Sequence, residues 1–398
     1  MSTREMFIDK SSWTITKFGD VAIQQKVNVN REDTTLTKYV KGEHMSSEDI
    51  HLRSWGELQD EYLGPAFIRY FEEGDILYGS RRTYLKKVSI APFQGITSNT
   101  TFVIKAIEEK FDKRLLPFLM LSDGFTEHSI MHSKGSVNPY INWKDLANYE
   151  FLLPPKDQQA ELAELLWAVN NSFERNLELK NSLSNYFERM KNDSISGKFS
   201  SNSNNWKEYI FGTLGYSYGG LTGKTKSDFG EGKPFINYMN VFSNAAVNPS
   251  QFDRVRIGTN EKQNEIKLGD ILFTGSSEIP EEVGMASVVL DDLSGYYLNS
   301  FCFGFRLNDF EILRPEYAKY LMRSAFVRQF MTRRAQGSTR FNISKSVVKE
   351  KLNIVIPEIK EQLEIAATLD SIESSLMLLD QKISESKTLH KSIINQIF

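Results

Sequence analysis

The chain has 398 residues, 40% hydrophobic and 25% charged, a globular balance long enough for two or three domains. Its single cysteine, Cys302, excludes an internal disulfide and fits a reducing compartment. The net charge of −3 argues against a uniformly basic nucleic-acid binder. The polar start (residues 1–5) and the absence of a membrane-length apolar run predict a soluble, cytoplasmic protein.

Taken in chain order, Trp13-x4-Phe18-Gly19 opens a strand-rich segment of about 150 residues. Its short apolar runs are Asp75-Ile-Leu-Tyr78, Phe102-Val-Ile104 and Phe151-Leu-Leu153. Helical periodicity appears at 115–120, just before Gly135-Ser136. Pro154 then precedes a long amphipathic helix with apolar positions Leu162, Leu166, Val169 and Phe173, followed by Leu183, Phe187 and Met190. Asn176 and Lys180 interrupt that stripe, and 200–205 reads as a flexible polar linker.

The same order then returns. Trp206-x4-Phe211-Gly212 repeats the opening at an offset of 193, and Gly269-Asp-Ile-Leu272 repeats Gly74-Asp-Ile-Leu77 at 195. Gly337-Ser338-x4-Ile343 repeats Gly135-Ser136-x4-Ile141 at 202. Pro357-x4-Gln362-x-Glu364-Ile365 repeats Pro154-x4-Gln159-x-Glu161-Leu162 at 203. Four matches in register, with an offset that only grows, indicate a duplicated chain. The second copy carries its own short runs, at 270–273, 286–290 and 353–356, and helical periodicity at 317–331. In its closing helix Ile365, Leu369, Ile372, Leu376, Leu379 and Ile383 alternate by four and three, the seam of a coiled coil. Each helix could instead pack on its own domain; pairing of the two is preferred because their seams match in length. The expected segments are therefore 1–153, 154–199, 200–205, 206–356 and 357–398.

Catalytic constellations are not convincing. Gly219-Gly-Leu-Thr-Gly223-Lys224-Thr225 resembles a phosphate-binding loop but has Tyr218 where the first glycine belongs. His128 and His132 have the spacing of a zinc pair but Ser129 where a metalloprotease needs glutamate, and no third ligand. Asn138-Pro139-Tyr140 lacks one proline of the adenine-methyltransferase loop, no convincing Gly-x-Gly for S-adenosylmethionine is present, and Glu358-Ile359-Lys360 is only the tail of a nuclease motif.

The repeated elements resemble those of the DNA-specificity subunits of type I restriction-modification systems. Such subunits carry Trp-x4-Leu/Phe-Gly, Gly-Asp-Ile/Val-Leu, Gly-Ser/Thr and Pro-x3-Glu/Gln-Gln in each half. Tyr39-Val-Lys-Gly-Glu-His44, Gly79-Ser-Arg-Arg-Thr-Tyr-Leu-Lys-Lys-Val88 and Gly219–Lys224 followed by Gly232–Ile236 are similar to segments of their recognition domains. One departure is Gln158-Gln159, where Glu-Gln is usual.

The resemblance implies an α+β fold. Two tandem mixed α/β target recognition domains, 1–153 and 206–356, would be separated by two long antiparallel coiled-coil helices, 154–199 and 357–398. Helices of roughly 35–40 residues span about 50–60 Å. It implies a non-catalytic subunit that reads a bipartite sequence in double-stranded DNA. Two methylation subunits and two restriction subunits would be its partners, and S-adenosylmethionine, ATP and Mg²⁺ would be bound by them. A fused methyltransferase or nuclease, and a protein that sequesters partners through its coil, are the alternatives.

Candidate DNA contacts in the first half are Arg81, Arg82, Lys86 and Lys87 around Tyr84, with Lys134, Ser136 and Asn138 at the Gly-Ser element. In the second half they are Lys224, Arg333, Arg334, Ser338, Thr339 and Arg340. This last group falls mostly in 311–351, where ten Lys/Arg stand against three Glu. Each cation alone could equally belong to a surface ion pair.

Overall fold

A computed structural model of the chain describes residues 8–30, 33–201 and 203–398. Residues 1–5, read above as a polar start, and position 202 of the expected linker lie outside the described residues. The chain divides into two compact units, one of Met1–Glu178 with Leu379–Phe398, the other of Leu179–Leu378. These units cut through the two long helices rather than falling at their ends.

In the first unit β1 (Ala22–Gln25), β2 (Ile76–Gly79), β3 (Val88–Ile90) and β4 (Thr101–Ala106) form an antiparallel sheet in the order β1-β4-β2-β3. Strand β2 is buried on both faces, as a continuous apolar run predicts. Ile76 and Tyr78 enter a core with Phe18, Phe118 and Phe125, while Leu77 enters a second core with Val40, Phe71 and Val103. That alternation is the two-residue period of a strand. A second four-stranded sheet, which includes Lys38–Val40 and Phe67–Phe71, completes the unit with short helices at Leu116–Leu121 and Asp123–Met131.

The second unit repeats the plan. Strands β5 (Gly215–Gly219), β6 (Ile271–Thr274), β7 (Ala286–Val288) and β8 (Cys302–Leu307) are ordered β5-β8-β6-β7. Ile271 and Phe273 enter one core and Leu272 the other.

The repeated sequence elements are structural fasteners. Gly74 and Gly269 adopt φ of +87° and +82°, which glycine tolerates best. The aspartate after each accepts a backbone N–H from three residues back, Glu72 to Asp75 and Lys267 to Asp270, both at 2.8 Å. The glutamine after each proline is almost wholly buried. Gln159 accepts from Asp112 N at 2.7 Å and donates to the carbonyls of Lys110 and Pro154. Gln362 accepts from Arg314 N at 2.9 Å and donates to those of Ile312 and Pro357. Each long helix is thereby tied to the loop that precedes the unit's short helices.

The Gln158 departure is also explained. Trp13 Nε1 donates to Gln158 Oε1 at 2.8 Å, and Trp206 Nε1 donates to Glu361 Oε2 at 3.1 Å. An indole needs only an acceptor, so amide and carboxylate serve alike.

The long helices span Lys156–Ile195 and Ile359–Ile397. In the first unit Leu162, Leu166 and Val169 share a core with Ile393, Ile394 and Ile397. In the second, Ile195, Phe187 and Met190 share a core with Ile365, Ala366 and Leu369. Low numbers on one helix meet high numbers on the other, so the segments within each unit run antiparallel. Both expected modes of packing occur together, because each of these cores also contains side chains of the sheet and short helices. Of the seam residues, Leu166, Leu369 and Leu379 are buried, whereas Leu162, Val169, Phe173, Ile365, Ile372, Leu376 and Ile383 are half-buried.

Candidate nucleic-acid interface

In the first unit the loop after β2 carries the basic run. Its 3-10 turn, Thr83–Leu85, is flanked by Arg82 at φ +50° and Lys86 at φ +47°, the left-handed region that side-chain-bearing residues seldom occupy. Neighbouring chain over-determines this strained shape. Arg82 N donates to Pro139 O at 2.7 Å, Ile141 N to Ser80 O at 2.9 Å, and the Thr83 and Ser133 hydroxyls lie 3.2 Å apart. The Gly-Ser element is the tip of a small hairpin closed by reciprocal bonds between Lys134 and Tyr140, with Gly135 at φ +89°. The basic loop and the Gly-Ser loop therefore stand side by side.

Arg81, Arg82, Ser136 and Asn138 are exposed, and Tyr84 is 53% exposed. Lys86 is not free: its Nζ lies 2.5 Å from Asp123 and 3.8 Å from Glu48. Lys87 Nζ donates to the Gly42 carbonyl, and burial lowers its pKa. Lys134 is exposed but pairs with Asp145 at 3.0 Å, and this partner holds the Asp145 carboxyl below its ordinary range.

The second unit builds the same corner from different residues. Ser276–Ser277 pairs with Phe341–Asn342, Ile343 N donates to Gly275 O at 3.1 Å, and Gln336 and Asn342 exchange two backbone bonds. Gly337 sits at φ +143°, where an added Cβ would lie 2.0 Å from Arg340 O. Ser338, Thr339 and Arg340 are exposed at this tip, and the Arg340 guanidinium lies over the Phe301 ring at 5.0 Å. Arg333 and Arg334 close the helix Ala325–Arg334, where cations suit the helix dipole. Lys224 is sequestered, with Nζ 2.6 Å from Glu261 and 2.5 Å from Arg256 O, and it draws the Glu261 carboxyl down to about 2.

The basic window also proves heterogeneous. Arg323 donates to the carbonyls of Ala286, Val241, Phe242 and Asn244, and Arg328 to those of Gly284, Glu281 and Val283. Burial pushes both guanidinium pKa values down to about 10. Lys319 pairs with Asp370 at 2.6 Å and Glu373 at 3.1 Å. These cations are staples of the second unit, a distinction that charge counting along a sequence does not make.

Sequence reasoning also missed an open cleft of about 470 Å³ in the first unit, beside Arg81. Gln24, Lys26, Asn99, Asn142 and Lys144 line it. They come from three separate stretches of chain, and none stands in a recognisable motif. His128 and His132 stack at 4.1 Å, and each has a ring nitrogen within hydrogen-bond distance of a backbone carbonyl. Among the described residues no group of three or more His, Cys, Asp or Glu could hold a metal, and no helix is long and apolar enough to cross a membrane.

Comparison with known proteins fits this geometry. The chain is 34% identical over 108 residues to the type I restriction enzyme EcoDI specificity subunit of Escherichia coli, an alignment spanning 26% of this chain and 24% of that one. Three solved structures share the fold along nearly the whole chain. One, from a study of complex assembly and conformational transition of the type I R-M system, has a TM-score of 0.63 at 19% identity, covering 97% of both chains. The HsdS subunit from Thermoanaerobacter tengcongensis has a TM-score of 0.50 at 19% identity, covering 100% of this chain and 99% of that one. The type I S subunit from M. genitalium has a TM-score of 0.58 at 12% identity, covering 97% and 96%. The type I restriction modification DNA specificity domain matches twice, at residues 10–185 and 204–386, and the chain belongs to that family.

Proposed function

We propose that the chain is a non-catalytic subunit that reads a bipartite sequence in double-stranded DNA and directs adenine methylation and restriction by partner subunits. The observation that carries this reading is one scaffold present twice, with unlike side chains at the same two loops. Two different half-sites follow from that arrangement. Arg81, Arg82, Tyr84, Ser136 and Asn138 would contact DNA from the first unit, and Arg333, Arg334, Ser338, Thr339 and Arg340 from the second. Lys86, Lys87 and Lys224 drop to supporting roles because their charges are engaged within the protein, and Lys134 contributes only by leaving Asp145.

Two methylation subunits and, for cleavage, two restriction subunits would assemble with the chain in the cytoplasm. S-adenosylmethionine, ATP and Mg²⁺ would belong to those partners. Sequencing modified bases in a host with and without the gene tests the reading. The expected result is methylation of a split motif that disappears with the gene. An unchanged methylome, with the partner subunits present, would overturn it.

A further inference from the structure

The cleft beside Arg81 has an unusual lining for a chain of net charge −3: none of the described residues that line it is acidic. Three cations, Lys26, Arg81 and Lys144, stand at it, all exposed and without a carboxylate partner among the described residues. Three carboxamides, Gln24, Asn99 and Asn142, share the lining with them, and the rings of Phe102 and Trp143 meet edge to face at 6.3 Å in the wall. Unpaired cations around neutral amides suit a ligand with an anionic frame and a neutral hydrogen-bonding edge. Duplex DNA has that character.

Gln24 is the telling residue. It lies on β1 opposite Ile104, and its Oε1 is shut off from solvent with no donor in reach among the described residues. A buried carbonyl without a donor is costly, so turning the carboxamide toward an amino group in the cleft is favourable. In the major groove adenine offers an N6 donor beside an N7 acceptor, the complement of Oε1 and Nε2 on one carboxamide. Guanine offers two acceptors and suits arginine instead.

We propose that this cleft takes the major-groove edge of an adenine·thymine pair in the first half-site, with Gln24 as its reader and Lys26, Arg81 and Lys144 on the flanking phosphates. The inference rests on the proposed DNA-reading function. It also makes the two half-sites differ for a stated reason. Gln24 faces Ile104 on β4 as Ser217 faces Phe305 on β8, and Arg81 corresponds to Ser276. The second unit thus holds hydroxyls where the first holds a carboxamide and a guanidinium.

The test selects duplexes from a randomised pool with the full chain assembled with its methylation partners, for wild type, Gln24→Ala, Gln24→Glu and Asn142→Ala. Wild type should select a split motif; if it selects none, the DNA-reading function itself fails. Gln24→Ala should lose discrimination at one adenine of one half-site, by about 5- to 150-fold, with the other half-site unchanged. Gln24→Glu should move that position toward cytosine, whose N4 donates to a carboxylate. An unchanged motif for both Gln24 variants overturns the inference alone. So does uniform weakening with every base preference intact, which would place Gln24 at the phosphates. If Gln24→Ala lowers the unfolding temperature and selects nothing, exposed Asn142 decides. Asn142→Ala must relax the same half-site, and a motif unaltered by it counts against the cleft.

Discussion

The two units place opposite charges at one position in one fold. After β2 the first unit carries Arg81, Arg82, Lys86 and Lys87; after β6 the second carries Glu278, Glu281 and Glu282. Both loops contain a 3-10 turn and both pair with the Gly-Ser hairpin. At the hairpin and the helix before it the balance reverses. The first unit offers Lys134, and the second offers Arg333, Arg334 and Arg340. The scaffold therefore fixes where these two neighbouring loops lie and leaves their charge free to vary between the copies.

The largest expected effect tests the shared scaffold. Gln159→Leu and Gln362→Leu each strand three backbone groups in a buried site, so each should destabilise its own unit by about 3–5 kcal/mol. Hydrogen exchange, unit by unit, measures this. A loss in one unit and not the other would break the equivalence of the copies.

A second difference is acid sensitivity. All five histidines of the chain fall in the first unit. His390 packs edge to face on Phe118 at 5.3 Å, its Nε2 is buried without a partner among the described residues, and burial pushes its pKa down to about 4 from an ordinary 6.5, with nearby His51 adding to the effect. In the unfolded chain it takes a proton near pH 6.5, and in the folded unit only near 4. Its contribution is therefore fully present above pH 6.5 and is lost as pH falls from there to about 4, by up to roughly 3 kcal/mol. Chemical denaturation against pH should show this slope for the first unit, and His390→Phe should flatten it. An equal slope after substitution would assign the acid response to other groups.

The next effect concerns DNA. Replacing Arg81 and Arg82, or Arg333 and Arg334, by alanine should weaken binding across sequences and reduce the salt slope by up to about 2 in each case. Binding titrations from 50 to 200 mM salt, a range chosen on the order of physiological ionic strength, read it out. An unchanged slope for one pair would put that pair away from the phosphates. The smallest effect sharpens the same contrast: Lys224→Met should leave the salt slope unchanged because Glu261 already holds that charge.

The duplicated plan was legible in the sequence because its fasteners are rigid motifs. A left-handed glycine before a turn-closing aspartate, and a buried glutamine after proline, tolerate few alternatives, so they recur at readable offsets. The long helices were legible from their apolar period. What the period did not reveal is that each helix divides between two cores. Leu166 and Ile394 meet in one core, and Ile195 and Leu369 in the other, over separations no local pattern records. The candidate site was half legible. Arg81 and Arg340 lie at recognisable loops, but sequence does not distinguish them from Lys86 and Arg328, whose charges are already spoken for by Asp123 and by backbone carbonyls. Gln24 carried no signal at all, since only the fold brings it into one cleft lining with Asn99 and Asn142.

The discontinuity of the first unit bears on how the chain is made. Its core includes Ile393, Ile394 and Ile397, which a ribosome adds more than two hundred residues after Glu178, whereas Leu179–Leu378 is one uninterrupted stretch. At about 5–20 residues per second the first unit waits roughly 10–40 s with an open apolar surface, while everything the second needs is already emerging. The copy translated first is thus expected to close last. Until then its unfinished face, bordered by Phe118 and Leu166, is the part of the nascent chain most exposed to misassociation and to chaperone capture.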